Sequence, residues 1–237
     1  FQDAGADFAT IDFFKQLESE GALPIRLYVM VRGESNAQME KRLPAYLMPA
    51  EENDFLTVRS IKLQLDGALG AHGAWLLEPY LDLPSTSGLV LETVEDIEET
   101  ARLAVKYGYQ VNTHAIGDST VKLLIDTYSR VLENKKDPRW RIEHSQIIDL
   151  KDIEGFNNKI LPSVQPTHAT SDMYWAEDRV GPNRIKGAYA YKALLNKSKV
   201  IGLGTDFPVE KVNPFHKVRQ SMKVALLQSL HSGKIVF

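Results

Sequence analysis

Short apolar runs alternate with amphipathic segments along most of this chain. The apolar runs, mostly bounded by Gly, Pro or Asp, predict buried strands at residues 25–31, 61–65, 110–114, 141–144, 161–164 and 200–204, with a further strand ending at residues 1–3. Apolar residues at helical spacing predict helices at residues 7–20, 93–107, 121–132, 149–158, 188–196 and 215–230. Residues 47–57 and 76–91 fit neither pattern and are predicted to be long loops, which often carry function.

Alternation of strands and helices predicts an α/β fold with a parallel sheet. A closed (β/α)₈ barrel needs eight strands, and the sequence predicts six or seven. We expect the one or two missing strands to belong at the N-terminal end. A doubly wound open sheet would tolerate six strands. However, the chain contains neither GxGxxG nor GxxxxGK[ST], the usual phosphate-binding fingerprints of such sheets.

The composition is that of an ordinary globular domain of 237 residues, with 43% hydrophobic and 25% charged residues. We therefore expect one domain over residues 1–237. A formal charge of −3 gives no basic field for nucleic acid or a lipid surface, and no apolar run is long enough to span a bilayer. The chain has no cysteine, which excludes disulfides and thiolate chemistry. We expect a cytoplasmic protein.

Ionisable side chains stand at the ends of four consecutive predicted strands. His114 and His144 each close a strand, Gln165 and His168 follow the next one, and Asp206 follows the last. The carboxyl ends of parallel strands form the active-site face of α/β folds. Imidazole and carboxylate are ligands that suit zinc or a similar divalent ion. The pattern therefore favours a metal site on this face.

Each of these residues also has a structural interpretation. A single histidine at a strand end is more often hydrogen-bonded than ligating, Asp206 could cap a turn, and Lys62 could be an ordinary strand lysine. Glu143 immediately precedes a candidate ligand, so strand alternation predicts that it faces the opposite side. Trp175 and Arg179, in the loop after His168, could line a substrate pocket or cover the mouth of the barrel.

Five segments, in order, resemble the amidohydrolase superfamily and more narrowly the amidohydrolase 3 group: IKLQLDG (61–67), VNTHAIGD (111–118), RIEHSQ (141–146), SVQPTH (163–168) and GLGTDFPV (202–209). The resemblance covers about residues 1–214. It implies a metal-dependent hydrolase on a distorted (β/α)₈ barrel that cleaves a C–N bond of a small amide-type substrate. It implies that His114 and His144 bind metal, that Asp206 binds metal and acts as general base, and that Lys62 is carbamylated and bridges two ions.

On the same resemblance, the divalent metal is zinc, as one or two ions, and His168, Trp175 and Arg179 are candidates for orienting the substrate. The sequence departs from the family at one point. The superfamily's first strand ends in His-x-His, but no two of the six histidines here are separated by one residue. The family's β-sandwich is also missing. We therefore expect a fragment of a larger enzyme, with little or no activity of its own and an open sheet edge that favours homo-oligomers.

Two alternatives come from other classes. The first is a metal-free hydrolase that uses paired carboxylates, as glycosidases do, with Glu143 and Asp206 as the pair. The second is a non-catalytic, degenerate barrel that serves as a binding or scaffold domain.

Overall fold

Seven parallel strands form one curled sheet in a computed structural model that describes residues 1–50 and 55–213. In the sheet the strands follow their order along the chain, each paired with the next. Their bounds are β1 (Gln2–Ala6), β2 (Leu27–Val31), β3 (Leu56–Gln64), β4 (Gln110–Ala115), β5 (Trp140–His144), β6 (Ile160–Val164) and β7 (Gly202–Leu203). In the described residues this topology is that of an incomplete (β/α) barrel, which confirms the predicted fold class.

Helices connect successive strands. They are α1 (Phe8–Ser19), α2 (Asn36–Arg42), α3 (Val94–Tyr107), α4 (Asp118–Val131), α5 (Pro166–Asp172), α6 (Ala176–Arg184) and α7 (Tyr191–Ser198), with short 3₁₀ turns at Leu43–Ala45, Asp152–Gly155 and Ile185–Gly187. The boundaries of α3 are those that the sequence predicts. Thr93 caps its first turn by accepting from the Asp96 N–H, and Gly108 ends it in the left-handed conformation.

Two predicted elements differ most from the structure. Strand β3 begins at Leu56, not at residue 61, and so includes part of a predicted loop. Residues 149–158 form only a 3₁₀ turn, not a helix. The helix is cut short because the Asn157 side chain accepts from the backbone N–H groups of Lys159 and Ile160, which turns the chain into β6. The predicted helix at 215–230 lies outside the described residues.

The sequence pattern also misses three helices, α2, α5 and α6. Helix α2 is only seven residues long, and α5 begins with a proline one residue after the end of β6. Helix α6 contains Pro182 and a glycine at φ +78°, so it shows little helical periodicity.

The main core packs the helices against the outer face of the sheet. Trp140, at the start of β5, is fully buried and meets the ring of Tyr128 from α4 edge-on, with 4.9 Å between centroids. The Tyr128 hydroxyl in turn lies 2.5 Å from Thr113 Oγ1 on β4. These contacts fix α4 against β4 and β5, and thereby set the positions of the two strands that carry His114 and His144.

A second, smaller core lies over the carboxyl ends of the strands. It is formed by residues of 65–93, a long connection between β3 and α3 without helix or strand, together with residues after β4 and β5, on α6 and just before α7. Leu69, Leu76 and Tyr80 are its largest fully buried members. The predicted loop at 76–91 is therefore part of a cover formed by residues 65–93, which these buried side chains hold in place, while most side chains from 77 to 91 are exposed. None of the helices in the described residues is both long and apolar enough to cross a membrane.

Candidate metal centre

The predicted site residues come from adjacent strands at one edge of the sheet. His114 lies near the end of β4, His144 is the last residue of β5, and His168 lies in the first turn of α5 just after β6. Asp206 follows β7. Because neighbouring parallel strands end side by side, residues far apart in sequence meet here.

Three of these side chains form a compact group. His144, His168 and Asp206 each offer one nitrogen or oxygen, and these atoms all lie within 4.8 Å of one another. His168 Nε2 lies 3.7 Å from Asp206 Oδ2, and the rings of His144 and His168 are stacked with centroids 5.9 Å apart. The sequence assigned His168 to substrate, but the structure places it beside the predicted ligands His144 and Asp206.

His114 flanks this group and is not one of the three. Its ring meets His144 edge-on with 4.4 Å between centroids, and its Nε2 lies 3.3 Å from Asp66 Oδ1. The structure thus brings together all three histidines and the aspartate, with His144 at the centre.

A left-handed backbone at the end of β5 sets the direction of His144. Its φ is +72°, and Ser145 follows at +44°. In the register of the sheet, Glu143 is paired with His114 and therefore shares its face. Simple alternation would turn His144 to the other face, but the left-handed turn brings its ring back against His114. The expectation that Glu143 faces away from the candidate ligands is wrong, because alternation fails at this strand end.

The protonation of His144 suits a metal ligand. Burial, together with the nearby charges of His114, His168 and Lys62, lowers the pKa of His144 well below its usual range, so the ring is neutral at pH 7. Its Nδ1 lies 2.7 Å from Gln165 Oε1 and donates to it, which leaves the Nε2 lone pair for a cation. Gln165 fixes the tautomer in this way. Its position directly after β6 was visible in the sequence, but its bond to His144 was not.

Lys62 lies on β3 and is almost fully buried. Burial lowers the pKa of Lys62 to about 8, against the opposing effect of the carboxylates of Glu143 and Asp206. Its Nζ donates to the Leu63 carbonyl at 3.0 Å. A lysine with this pKa is partly neutral near pH 7.5, and the neutral amine is the form that reacts with carbon dioxide to give a carbamate.

Glu143, the other candidate carboxylate, is engaged elsewhere. Its Oε1 accepts from Arg141 Nε at 2.8 Å, and both side chains are largely buried. This arrangement favours the interpretation of Glu143 as a structural partner, not as half of a catalytic pair.

Trp175 and Arg179 contact the cover formed by residues 65–93. Arg179 pairs with Asp82 and donates to the Gly70 carbonyl, and its guanidinium lies 5.7 Å from the Trp175 ring. The Trp175 ring packs on Gly70, where a Cβ would lie 3.2 Å from its edge. These contacts favour a role in holding the cover in place.

A polar cleft of about 600 Å³ opens beside this edge. It lies between the ends of β2 and β3 and the first turns of α2 and α3, and Lys62, Arg32 and Gln64 are part of its wall. Arg32 donates to Gln64 Oε1 at 2.6 Å across the strand ends. The cleft is large enough for a small molecule.

Comparisons with known proteins agree with this picture. The family model described as "Amidohydrolase family" matches residues 2–222. "Protein LONG AFTER FAR-RED 3" of Arabidopsis thaliana is 34% identical over 175 residues, which are 72% of this chain and 30% of that protein. "Putative amidohydrolase YtcJ" of Bacillus subtilis (strain 168) is 29% identical over 210 residues, 88% of this chain and 38% of that protein.

A solved structure shows the same likeness in three dimensions. It is an uncharacterized metal-dependent hydrolase from Pyrococcus furiosus, 31% identical, with a TM-score of 0.80 over 93% of this chain and 45% of that chain. The present chain thus spans about a third of the length of the curated relatives it matches. Since the family model covers nearly all of its residues, the chain belongs to the amidohydrolase family.

Proposed function

We propose that this chain forms the metal-binding part of a hydrolase that cleaves non-peptide C–N bonds in small amide-type molecules. The observation that supports it best is the meeting of His144, His168 and Asp206, whose ligand atoms all lie within 4.8 Å of one another. The family membership and the metal-dependent hydrolase of similar fold support the same reaction class.

The donor set fits a divalent ion such as zinc. Two imidazoles and a carboxylate are the ligand types of catalytic zinc sites, which use three protein ligands and keep one position open. His144 is neutral because of its burial, and Gln165 holds its ring in one tautomer. A bound cation would polarise the substrate carbonyl and increase the acidity of water. His114, in contact with His144, is the third imidazole of the site and a ligand for the same or a second ion.

Asp206 is the residue that we propose as general base. Its side chain is about one-third exposed, the most open of the three donors, so solvent and substrate can reach it. It would accept a proton from the attacking water and return it to the leaving nitrogen. His168, 3.7 Å away, is placed to orient the Asp206 carboxylate or to contact the substrate.

Carbamylation of Lys62 is part of the proposal. The new carboxylate would give β3 a ligand and would hold a second ion in the site. The burial of Lys62 and its pKa of about 8 support this modification, since both favour a reactive neutral amine.

Removal of the metal tests the reaction class. We expect the purified chain to hydrolyse small N-acyl amides weakly, to lose this activity after chelation and to regain it with Zn²⁺. Asp206→Asn should abolish the restored activity, whereas Asp178→Asn, which changes an exposed carboxylate on α6, should not. Turnover that survives chelation would contradict the metal-dependent mechanism and favour paired carboxylates. A chain that takes up no metal and turns over no amide would favour the scaffold alternative.

A further inference from the structure

Asp66 is the most completely bonded carboxylate at this edge of the sheet, among the described residues. It follows β3 and is fully buried. Its Oδ2 accepts from the N–H groups of Trp75 and Gly117 at 3.0 and 2.8 Å and from the Thr120 hydroxyl at 2.7 Å. Its Oδ1 accepts from the Ile116 N–H at 3.1 Å and lies 3.3 Å from His114 Nε2. A buried charge is tolerated only with this many donors around it.

The two oxygens face different parts of the molecule. Oδ2 joins the cover at Trp75 to the turn between β4 and α4 at Gly117, where a Cβ would clash with the Trp75 carbonyl. Oδ1 faces the imidazole of His114. One carboxylate therefore connects the cover of the site with a candidate ligand.

We propose that Asp66 is a positioning residue that holds His114 in the tautomer with the proton on Nε2, which leaves Nδ1 free for a cation. This inference rests on the proposed function, because it gives His114 a role at a metal. A histidine ligand commonly donates its second N–H to a carboxylate, which fixes the ring and increases its basicity. His114 Nε2 is buried and has no hydrogen-bond partner in the structure, and Asp66 Oδ1, 3.3 Å away, is the carboxylate oxygen beside it. A small rotation of the ring would complete the bond.

Asp118 provides a matched carboxylate without this contact. It is also buried, and it also holds the cover, since its Oδ1 accepts from the Leu77 N–H at 2.8 Å. It accepts as well from the Ser119 N–H in its own helix. Asp66 and Asp118 thus both bind the cover. Asp66 accepts from more donors and, unlike Asp118, lies beside His114.

The substitution Asp66→Asn separates the two roles. The carbonyl oxygen of the introduced amide would occupy the place of Oδ2, where three donors converge. Its NH₂ group would then face His114 Nε2, and the bond from the Ile116 N–H to Oδ1 would be lost. An amide donor at that point requires Nε2 to accept, which moves the imidazole proton to Nδ1 and blocks the proposed ligand atom.

The first test reads the tautomer of His114 in the metal-free chain by long-range ¹H–¹⁵N correlation spectra. We expect Nε2–H in the wild type and in Asp118→Asn, and Nδ1–H in Asp66→Asn. The same Nε2–H tautomer in Asp66→Asn would overturn the inference. Thr120→Val, which removes a donor to Oδ2 only, controls for disturbance of the buried carboxylate and should keep Nε2–H.

The second test measures Zn²⁺ affinity by competition with a chelator. Asp66→Asn should weaken binding about 10- to 100-fold, as is usual for a residue that orients a ligand, and Asp118→Asn should leave it nearly unchanged. In a His114→Ala background, Asp66→Asn should have no further effect. An equal loss of Zn²⁺ affinity in the His114→Ala background, or an equal loss in Asp118→Asn, would mean that Asp66 affects binding only by stabilising the fold. Either result would overturn the inference. If His144→Ala fails to weaken binding, the proposed function itself fails, which is a separate result.

Discussion

Replacing His144 with alanine is expected to lower the affinity of the chain for Zn²⁺ by a factor on the order of 10²–10³. Binding of zinc to a four-ligand site is worth about 10–16 kcal/mol, so one ligand contributes about a quarter of that. His144 lies at the centre of the cluster, between the rings of His114 and His168, and its loss removes the donor that the other groups surround. Isothermal titration of the metal-free chain with Zn²⁺ measures the effect.

His72→Ala is the matched control for this substitution. His72 also has a left-handed backbone, with φ +56°, and its imidazole also lies near a carboxylate, 3.2 Å from Asp82. It belongs to the cover, and its variant should bind Zn²⁺ as the wild type does. Equal losses in the two variants would show that the titration reports non-specific binding to histidine and would contradict the proposed centre.

Trp140→Ala is expected to lower the free energy of unfolding by about 3–5 kcal/mol, the usual cost of removing a large aromatic side chain from a core. Trp140 is fully buried, and its ring packs edge-on against Tyr128, which fixes α4 over β4 and β5. Urea denaturation followed by circular dichroism measures the change. Since these strands carry His114 and His144, we also expect weaker Zn²⁺ binding in this variant.

Phe13→Ala controls for the loss of an aromatic ring. Phe13 lies on α1 with 54% of its surface exposed, and its loss should change the free energy of unfolding by less than about 0.5 kcal/mol. A cost of less than about 1 kcal/mol for Trp140→Ala would show that the packing of α4 on β4 and β5 is not as the structure describes it.

Much of the sheet can be predicted from the sequence because the strands are short and mostly bounded by Gly, Pro or Asp. The predicted bounds of β4 and β5 agree with the structure to within one residue at each end, and their histidines are therefore assigned to the correct edge. The strand at the N-terminus is also recognised, but it runs from Gln2 to Ala6 and does not end at residue 3. Local pattern is sufficient here because turn-forming residues, Gly108 and Gly117 around β4 and Pro138 before β5, mark the ends of these strands.

The arrangement within the site depends on features that local pattern does not encode. The left-handed backbone of His144 reverses the alternation from which the orientation of Glu143 is predicted. Asp66 directly follows a predicted strand, but its partners at Trp75 and Gly117 come from other segments of the chain. Such contacts follow from tertiary packing, and they are not visible in the spacing of residues.

The most direct test of the metal centre is a crystal structure of the chain soaked with Zn²⁺, with anomalous diffraction measured on both sides of the zinc edge. We expect a zinc peak within about 2.0–2.2 Å of a His144 nitrogen and an Asp206 oxygen, with His168 or His114 as the third ligand. A peak elsewhere on the protein, with these four side chains unliganded at saturating Zn²⁺, would contradict the account.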